Sequence, residues 1–274
     1  QRAAIIVDDG RTLMAASVDR YDVIIGDLYR PWGEGEGRLY SREHFLACKS
    51  ALREGGLFCQ WLPMYQLTQQ QFEVILATFL DVFGSADLVR GNLKSDYPLL
   101  GLVGWRSGGI EWVALKDRCY AMRAEKRIVD HSLRHPEGVQ MLFLGRASQA
   151  SAATQTLNTL DNAWVETHAA QQRVVTRNDE VYLKRDNWLA FEDTFRSRLA
   201  GDNAEQVPSP DEKWSDLGAR ITKWQHGKMT RAASKEQAEQ LKAELAATYV
   251  ELFASLPQSM KDDPGADWSA WPAR

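Results

Sequence analysis

Three polar clusters each close a short apolar run. Asp8-Asp9-Gly10-Arg11 follows Ile5–Val7, and Asp27-Leu28-Tyr29-Arg30-Pro31-Trp32 follows Asp22–Ile25 and Gly26. Gln60-Trp61-Leu62-Pro63-Met64-Tyr65 closes Leu57–Trp61. A carboxylate at such a place can accept hydrogen bonds from an adenine amino group or from ribose hydroxyls. A second can act as a base or hold a cationic substrate. In open α/β sheets, ligands bind beyond the carboxyl ends of the strands, so clusters on three strands can converge on one crevice. A strand-end Asp also commonly caps the helix or loop that follows it, so the weight rests on three clusters rather than on one.

The elements that must position these clusters are legible as a rhythm. Ile5–Val7, Asp22–Ile25, Leu57–Trp61 and Leu99–Val103 are short and do not alternate in polarity, which predicts neighbouring strands of a largely parallel sheet buried on both faces. Helical patterns lie between them. Ser41 caps a segment with Phe45, Cys48 and Leu52 on one face, and Thr68 with Gln71 forms a capping box ahead of Phe72, Ile75, Leu76 and Phe79. Strand–helix alternation predicts an α/β doubly wound sheet. Residues 1–106 are read as this domain, and 107–200 as a mixed, α-rich appendage. Residues 201–213 are read as a polar linker, and 214–274 as a helical extension. In that extension Ser234 starts a helix that carries Ala238, Leu241, Leu245, Tyr249, Leu252 and Leu256 on one stripe, ended by Pro257.

Composition excludes several classes. Lys+Arg number 33 against 37 Asp+Glu, a net charge of −4, which argues against a general nucleic-acid binder. No apolar run approaches the ~18 residues of a membrane span, so the chain itself reads as soluble and cytoplasmic. Three Cys (Cys48, Cys59, Cys119) fit neither a disulfide framework nor a zinc site. His131 and His135 are spaced i, i+4 but have no third ligand nearby, so no metal is expected and a surface position is favoured. Cys59, inside an apolar run, reads as packing, and so do the Trp residues of the last third.

The same segments resemble the spermidine synthase (polyamine aminopropyltransferase) family. The resemblance rests on Asp8-Asp9-Gly10-Arg11, Tyr21-Asp22-Val23-Ile24-Ile25-Gly26-Asp27 with Pro31, Leu39-Tyr40-Ser41-Arg42-Glu43-His44-Phe45 and Gly55-Gly56-Leu57-Phe58-Cys59-Gln60-Trp61. The Gln60–Tyr65 stretch is nearest to the type fused to transporter-like membrane segments. Thr156–Asn162 followed by Glu166 resembles a segment that these proteins carry after the nucleotide domain. The resemblance implies a Rossmann-like, class I methyltransferase-type fold with a mostly α-helical C-terminal extension. It also implies transfer of an aminopropyl group from decarboxylated S-adenosylmethionine to an amine. Asp27 then stands as the catalytic carboxylate, and Asp9, with Asp8 and Gly10, on the nucleotide. Gln60, Arg30, Tyr40 and Tyr65 stand in the acceptor pocket.

The family's glycine-rich loop and ribose-holding acid are not in this sequence. With Gln1 running straight into an apolar segment, this predicts a piece of a longer protein, its first strands missing and its nucleotide affinity weak. The glycine-rich run Gly33–Gly37 is read as a mobile lid. Arg30 and Leu62 stand where the family has acids, which predicts an altered acceptor pocket suited to an amine carrying an acid, or to a neutral amine. Expected partners are a small amine or amino-acid-like acceptor and no nucleic acid. A homodimer and an upstream membrane segment in a parent protein stand beside them. The alternatives are a non-catalytic domain of a membrane transporter-like protein and a methyltransferase using S-adenosylmethionine itself.

Overall fold

The computed structural model describes residues 5–124, 132–175, 179–202, 212–229 and 234–262. In chain order it begins α1 (Gly10–Ala16), β1 (Tyr21–Gly26), α2 (Arg42–Ala51), β2 (Leu52–Pro63), α3 (Gln69–Phe83), β3 (Ser85–Arg90) and β4 (Leu99–Trp105). It continues α4 (Trp112–Ala124), α5 (Pro136–Leu142), β5 (Phe143–Ser148), α6 (Trp164–Val175), α7 (Asp186–Asp202), α8 (Glu212–Met229), α9 (Lys235–Ser255) and α10 (Gln258–Lys261). The five strands form one sheet in the order β1-β2-β4-β3-β5, with β1 and β2 parallel. The chain divides into two compact units. One comprises Gln1–Leu88, Leu100–Gly109 and Arg146–Leu183; the other comprises Val89–Leu99, Ile110–Gly145 and Lys184–Arg274.

In the first unit the helix starts follow from local chemistry. The Ser41 hydroxyl accepts from the His44 N–H at the start of α2. Thr68 and Gln71 exchange reciprocal hydrogen bonds at the start of α3, which satisfies two donors that helix geometry leaves unpaired. Both helices bury aromatic residues against β2. Phe45 meets Phe79 at 5.2 Å, Phe79 meets Phe83 at 4.6 Å, and Phe58 of β2 stacks on Phe79 at 6.0 Å. The α/β alternation of a Rossmann-like unit therefore holds for β1-α2-β2-α3-β3, with the core between α2, α3 and β2.

The first apolar run departs from expectation. Ile5–Val7 is not a strand; Ile5 and Val7 are 93% and 95% exposed. A strand exists only through a partner's hydrogen bonds, and the run makes no ladder before Asp9 turns the chain into α1. β1 stands at the end of the strand order, and its Val23 (52%) and Ile25 (63%) are exposed rather than buried. β3 appears where no strand was expected. Its Asp87 is buried because Arg146 Nε (2.7 Å) and Trp105 Nε1 (2.9 Å) donate to it.

In the second unit, Met141 of α5 packs with Leu217, Ile221 and Trp224 of α8 and with Leu252, Leu256 and Met260 near the end of the described chain. Gly218 lets α8 approach the Met141 carbonyl so closely that any side chain there would overlap it. The α9 stripe is used in its second half: Leu245, Tyr249, Leu252 and Leu256 reach this core, while Ala238 is exposed. Trp188 and Trp224 are buried, as packing residues should be. Arg90 is buried beside Glu192, donating from Nε at 2.6 Å, and Arg90 Nη1 donates to the carbonyls of Met141 and Phe143. His135 is fully buried, which corrects the expected surface position. Pro136 opens α5 instead of closing a helix, because its fixed φ and missing N–H suit the first helical position. His131, the 203–211 part of the expected linker, Trp268 and Trp271 lie outside the described residues.

Candidate functional site

The β1–β2 register sets Gly26 opposite Gln60, and Asp27 follows at once. Gln60 is fully buried, and its Nε2 donates to the carbonyls of Asp27 and Trp61, each at 3.0 Å. The amide lies flat over Gly26, where a Cβ would overlap Gln60 Oε1 and sit 2.8 Å from Cδ. Only glycine leaves room for it. Gln60 Oε1 is buried with no hydrogen-bond partner among the described residues. A lone buried acceptor is costly, and a donor on a ligand would relieve it. Asp27 is exposed, with Oδ1 accepting from the Leu28 N–H at 2.8 Å. The backbone of Asp27 is thus pinned from β2 while its carboxylate stays available to solvent.

The chain after Asp27 is braced from several sides. The Tyr40 hydroxyl donates to the Tyr29 carbonyl at 2.7 Å, and the two rings meet edge to face at 5.9 Å. Tyr40 is fully buried, and burial holds its phenol protonated well beyond the ordinary range. It therefore positions this segment. Arg30 is not a free cation beside Asp27. Its Nε donates to Glu36 Oε1 at 2.9 Å and its backbone N–H to Glu36 Oε2 at 2.8 Å. The same contact lowers the Glu36 carboxyl below its ordinary range. Tyr65 is half-buried in the 3-10 turn Met64–Gln66 that follows β2.

Gly33–Gly37 is not a loose lid. The Gly35 N–H donates to Glu166 at 3.0 Å, Gly33 and Glu36 close a turn at 2.9 Å, and the Arg173 guanidinium lies 4.2 Å from the Trp32 ring centre. Asn158, fully buried, is the hub of this bracing. Its Nδ2 donates to the Gly37 carbonyl, its Oδ1 accepts from Val165 N–H, and its backbone N–H donates to Thr78 Oγ1. Neither Asn158 nor Glu36 was singled out for a role from the sequence. The signal for Asn158 was the Thr156–Asn162 segment; for Glu36, six residues beyond Arg30, no periodic pattern exists.

Asp9, Asp8 and Gly10 lie at the start of α1. Asp9 caps that helix, accepting from the N–H groups of Arg11 (2.9 Å) and Thr12 (3.1 Å), and its Oδ2 pairs with Arg11 at 2.9 Å. Hydrogen bonding from Arg11 holds its carboxyl well below the ordinary range. Asp8 accepts from the Asp9 N–H at 2.7 Å. Gly10 faces open space. Among the described residues no hydrogen bond joins Asp9 to Asp27 or Gln60. The structure therefore unites Gly26, Asp27 and Gln60 directly, and leaves the Asp8–Gly10 cluster in a cap of its own.

Two other groupings have the residue types of catalysis without the access. His44 Nε2 lies 3.5 Å from Cys48 Sγ, but burial pushes that thiol up to about 12 and the imidazole down to about 4. The Cys59 thiol is likewise pushed up to about 12 by burial in β2, as a packing residue's would be. In the second unit Ser95 Oγ is 2.8 Å from His226 Nδ1, and His226 Nε2 is 2.9 Å from Asp186. Ser95 is fully buried, so this Ser–His–Asp chain fastens elements together instead of presenting a nucleophile. Among the described residues, no group of three or more His, Cys, Asp or Glu is placed to hold a metal ion, and no helix is long and apolar enough to cross a membrane.

The sheet and the Gly26, Asp27 and Gln60 cluster together define a Rossmann-like α/β unit with a polar site at the ends of β1 and β2. Residues 1–91, which hold that site, match the spermine/spermidine synthase domain family. A polyamine aminopropyltransferase of Aeropyrum pernix is 26% identical over 186 residues, covering 66% of this chain and 54% of that protein. Polyamine aminopropyltransferase 1 of Pseudomonas aeruginosa is 41% identical over 56 residues, 20% of this chain and 19% of the relative. A polyamine aminopropyltransferase of Buchnera aphidicola is 24% identical over 111 residues, 40% of this chain and 38% of the relative. The chain thus spans between a fifth and about half the length of these relatives.

Proposed function

We propose that this chain carries the acceptor side of an aminopropyltransferase that uses decarboxylated S-adenosylmethionine. In the reaction, an amine nitrogen forms a bond to the propyl carbon, the carbon–sulfur bond of the sulfonium breaks, and a neutral thioether leaves. The nitrogen must first lose a proton, since an ammonium has no lone pair. Asp27 is the group assigned to orient the amine and take that proton. Gln60 and Gly26 fix the Asp27 backbone, Tyr40 braces the next turn, and Tyr65 flanks the acceptor. Asp8, Asp9 and Gly10 are assigned to the nucleotide. The observation that carries this reading is the Gly26–Asp27–Gln60 arrangement, inside residues 1–91, which match the spermine/spermidine synthase domain family.

Glu36 offsets the Arg30 charge, so the acceptor pocket presents an ion pair in place of a free guanidinium. An acceptor bearing a carboxylate would compete with Glu36 for Arg30. An acceptor bearing one neutral amine would leave the pair intact. The test is a transfer assay with the purified protein, decarboxylated S-adenosylmethionine and a panel of diamines, monoamines and amino acids. Transfer that Asp27→Asn abolishes supports the reading. Full activity in Asp27→Asn removes the catalytic assignment. Efficient use of 1,4-diaminobutane, unchanged by Arg30→Asp, removes the acceptor assignment.

A further inference from the structure

The Thr156–Asn162 segment, set apart in the sequence, takes no part in the transfer step proposed above. Its place in the first unit is nevertheless specific. Asn162 closes the segment on itself: its Nδ2 donates to the Leu157 carbonyl at 2.9 Å, and it exchanges hydrogen bonds with Thr159 at 3.0 and 3.2 Å. Asn158 stands in that turn, fully buried. Its backbone N–H donates to Thr78 Oγ1 on α3 at 2.9 Å, and its carbonyl accepts from the Arg42 N–H at the start of α2 at 2.8 Å. The backbone of Asn158 is therefore fastened to two core helices before its side chain makes a contact.

The side chain reaches toward the turn after Asp27. Asn158 Nδ2 donates to the Gly37 carbonyl at 3.2 Å while Oδ1 accepts from the Val165 N–H at 2.9 Å, so the amide cannot rotate without losing a bond. Gly37 has little room to move: a Cβ there would lie 2.7 Å from both the Pro31 carbonyl oxygen and Glu166 Cβ. Gly37 opens the 3-10 turn that ends at Tyr40. The fully buried Tyr40 donates its hydroxyl at 2.7 Å to the carbonyl of Tyr29, which follows Asp27 and Leu28. A second tie leaves the same strap, because Glu36 accepts from the Arg30 N–H at 2.8 Å. On the other side, Gln60 holds the Asp27 carbonyl from β2. The exposed Asp27 carboxylate has little packing of its own to aim it, so the backbone that carries it decides where it points. A misplacement of about 1 Å at a reacting group can cost about a hundredfold in rate.

We propose that Asn158 is a positioning residue for Asp27: through Gly37 and Tyr40 it fixes the 27–31 turn, so that the carboxylate meets the amine in one orientation. The proposal rests on the reading of Asp27 as the group that takes the proton. Asn158 acts through other residues and not on the substrate, so its loss should lower turnover and leave capture of the acceptor in place.

Two measurements on the whole chain test it. Millisecond hydrogen exchange reads the relay without any need of activity. Asn158→Ala should speed exchange about tenfold at Gly35–Gly37 and at Leu28 and Tyr29, with the β2 and β4 amides within about twofold of their native rates. Because Asn158→Ala can also disturb the junction of α2 and α3, Tyr40→Phe serves as the second variant. It keeps the ring and removes only the last bond of the relay, so it should speed Leu28 and Tyr29 and leave Gly35–Gly37 unchanged. In the transfer assay both variants should lower kcat by about tenfold to a hundredfold, with the acceptor KM within about twofold. Native exchange at Leu28 and Tyr29 in either variant would overturn the proposal, and so would a raised KM with kcat unchanged. If the unsubstituted protein transfers nothing, the transferase reading falls, and exchange alone then decides whether Asn158 holds the Asp27 turn.

Discussion

Replacing Gly26 with Ala puts one methyl group where the Gln60 amide lies. The added carbon overlaps Oε1 and sits 2.8 Å from Cδ, so the amide must leave its position. Leaving breaks two hydrogen bonds at 3.0 Å, to the Asp27 and Trp61 carbonyls, in a fully buried setting. A buried polar group stripped of its partners costs about 1–3 kcal/mol, so the displaced amide and two carbonyls together should cost about 2–4 kcal/mol. For a chain of this size that corresponds to a drop in Tm of roughly 5–15 °C. The double variant Gly26→Ala/Gln60→Ala separates this cause from others. Once Gln60 is truncated nothing opposes the methyl added at position 26, so the second substitution should cost less than about 1 kcal/mol, leaving a coupling energy above about 1 kcal/mol. Urea denaturation of the four proteins closes the cycle. Strictly additive effects, with coupling under about 0.5 kcal/mol, would refute the claim that the glycine exists for the amide.

Other outcomes follow from the packing. Phe79→Ala empties the centre of the aromatic cluster and should destabilise by about 3–5 kcal/mol, read by chemical denaturation. Glu192→Ala leaves the buried Arg90 guanidinium without its carboxylate and should cost about 3–5 kcal/mol, more than the double variant Arg90→Met/Glu192→Leu costs. His44 has its imidazole depressed from 6.5 to about 4 by burial, so the native state resists a proton that the unfolded chain accepts. Its contribution is therefore complete above pH 6.5 and lost progressively as pH falls toward 4; His44→Leu should flatten the Tm–pH curve across that window. Asn158→Ala removes two side-chain hydrogen bonds on the 31–37 segment and α6, and should increase amide hydrogen exchange at Gly35–Gly37 before it lowers global stability.

The parts of the fold that were legible in sequence are those that a few adjacent residues decide. Ser41, Thr68 and Ser234 start helices because a hydroxyl and an N–H three residues later suffice. β2 and β4 were legible because burial on both faces leaves a continuous apolar run. β3 was not, since Asp87 and Arg90 break its apolar run, and each is neutralised by a partner far along the chain, Arg146 and Glu192. Ile5–Val7 has a strand's composition, but composition cannot supply the neighbouring strand. At the site, the strand-end clusters that hold Asp27 and Gln60 are legible from type and position, their individual roles only through the family resemblance, and their mutual bond follows from the register. Arg30 is legible as a cation close to Asp27, but its partner Glu36 is not, because the two meet only after the chain turns back on itself. The Gly33–Gly37 run was read as a lid because glycine content reports freedom of the backbone and not the Glu166 carboxylate that restrains it.

The first unit is assembled from three stretches of chain, the last ending at Leu183. Its central helix, α3, is complete at Phe83, yet Asn158, whose backbone N–H donates to the Thr78 hydroxyl oxygen on that helix, is made much later. At a synthesis rate of about 5–20 residues per second, the Thr78 side of α3 exists for roughly 5–20 seconds before the last stretch is complete. The nascent protein therefore passes through an interval in which α3, buried along most of its length in the folded unit, is present without its full cover. Chaperone dependence and translation speed between codons 84 and 183 thus bear on how much of the protein reaches the folded state, independently of its final stability.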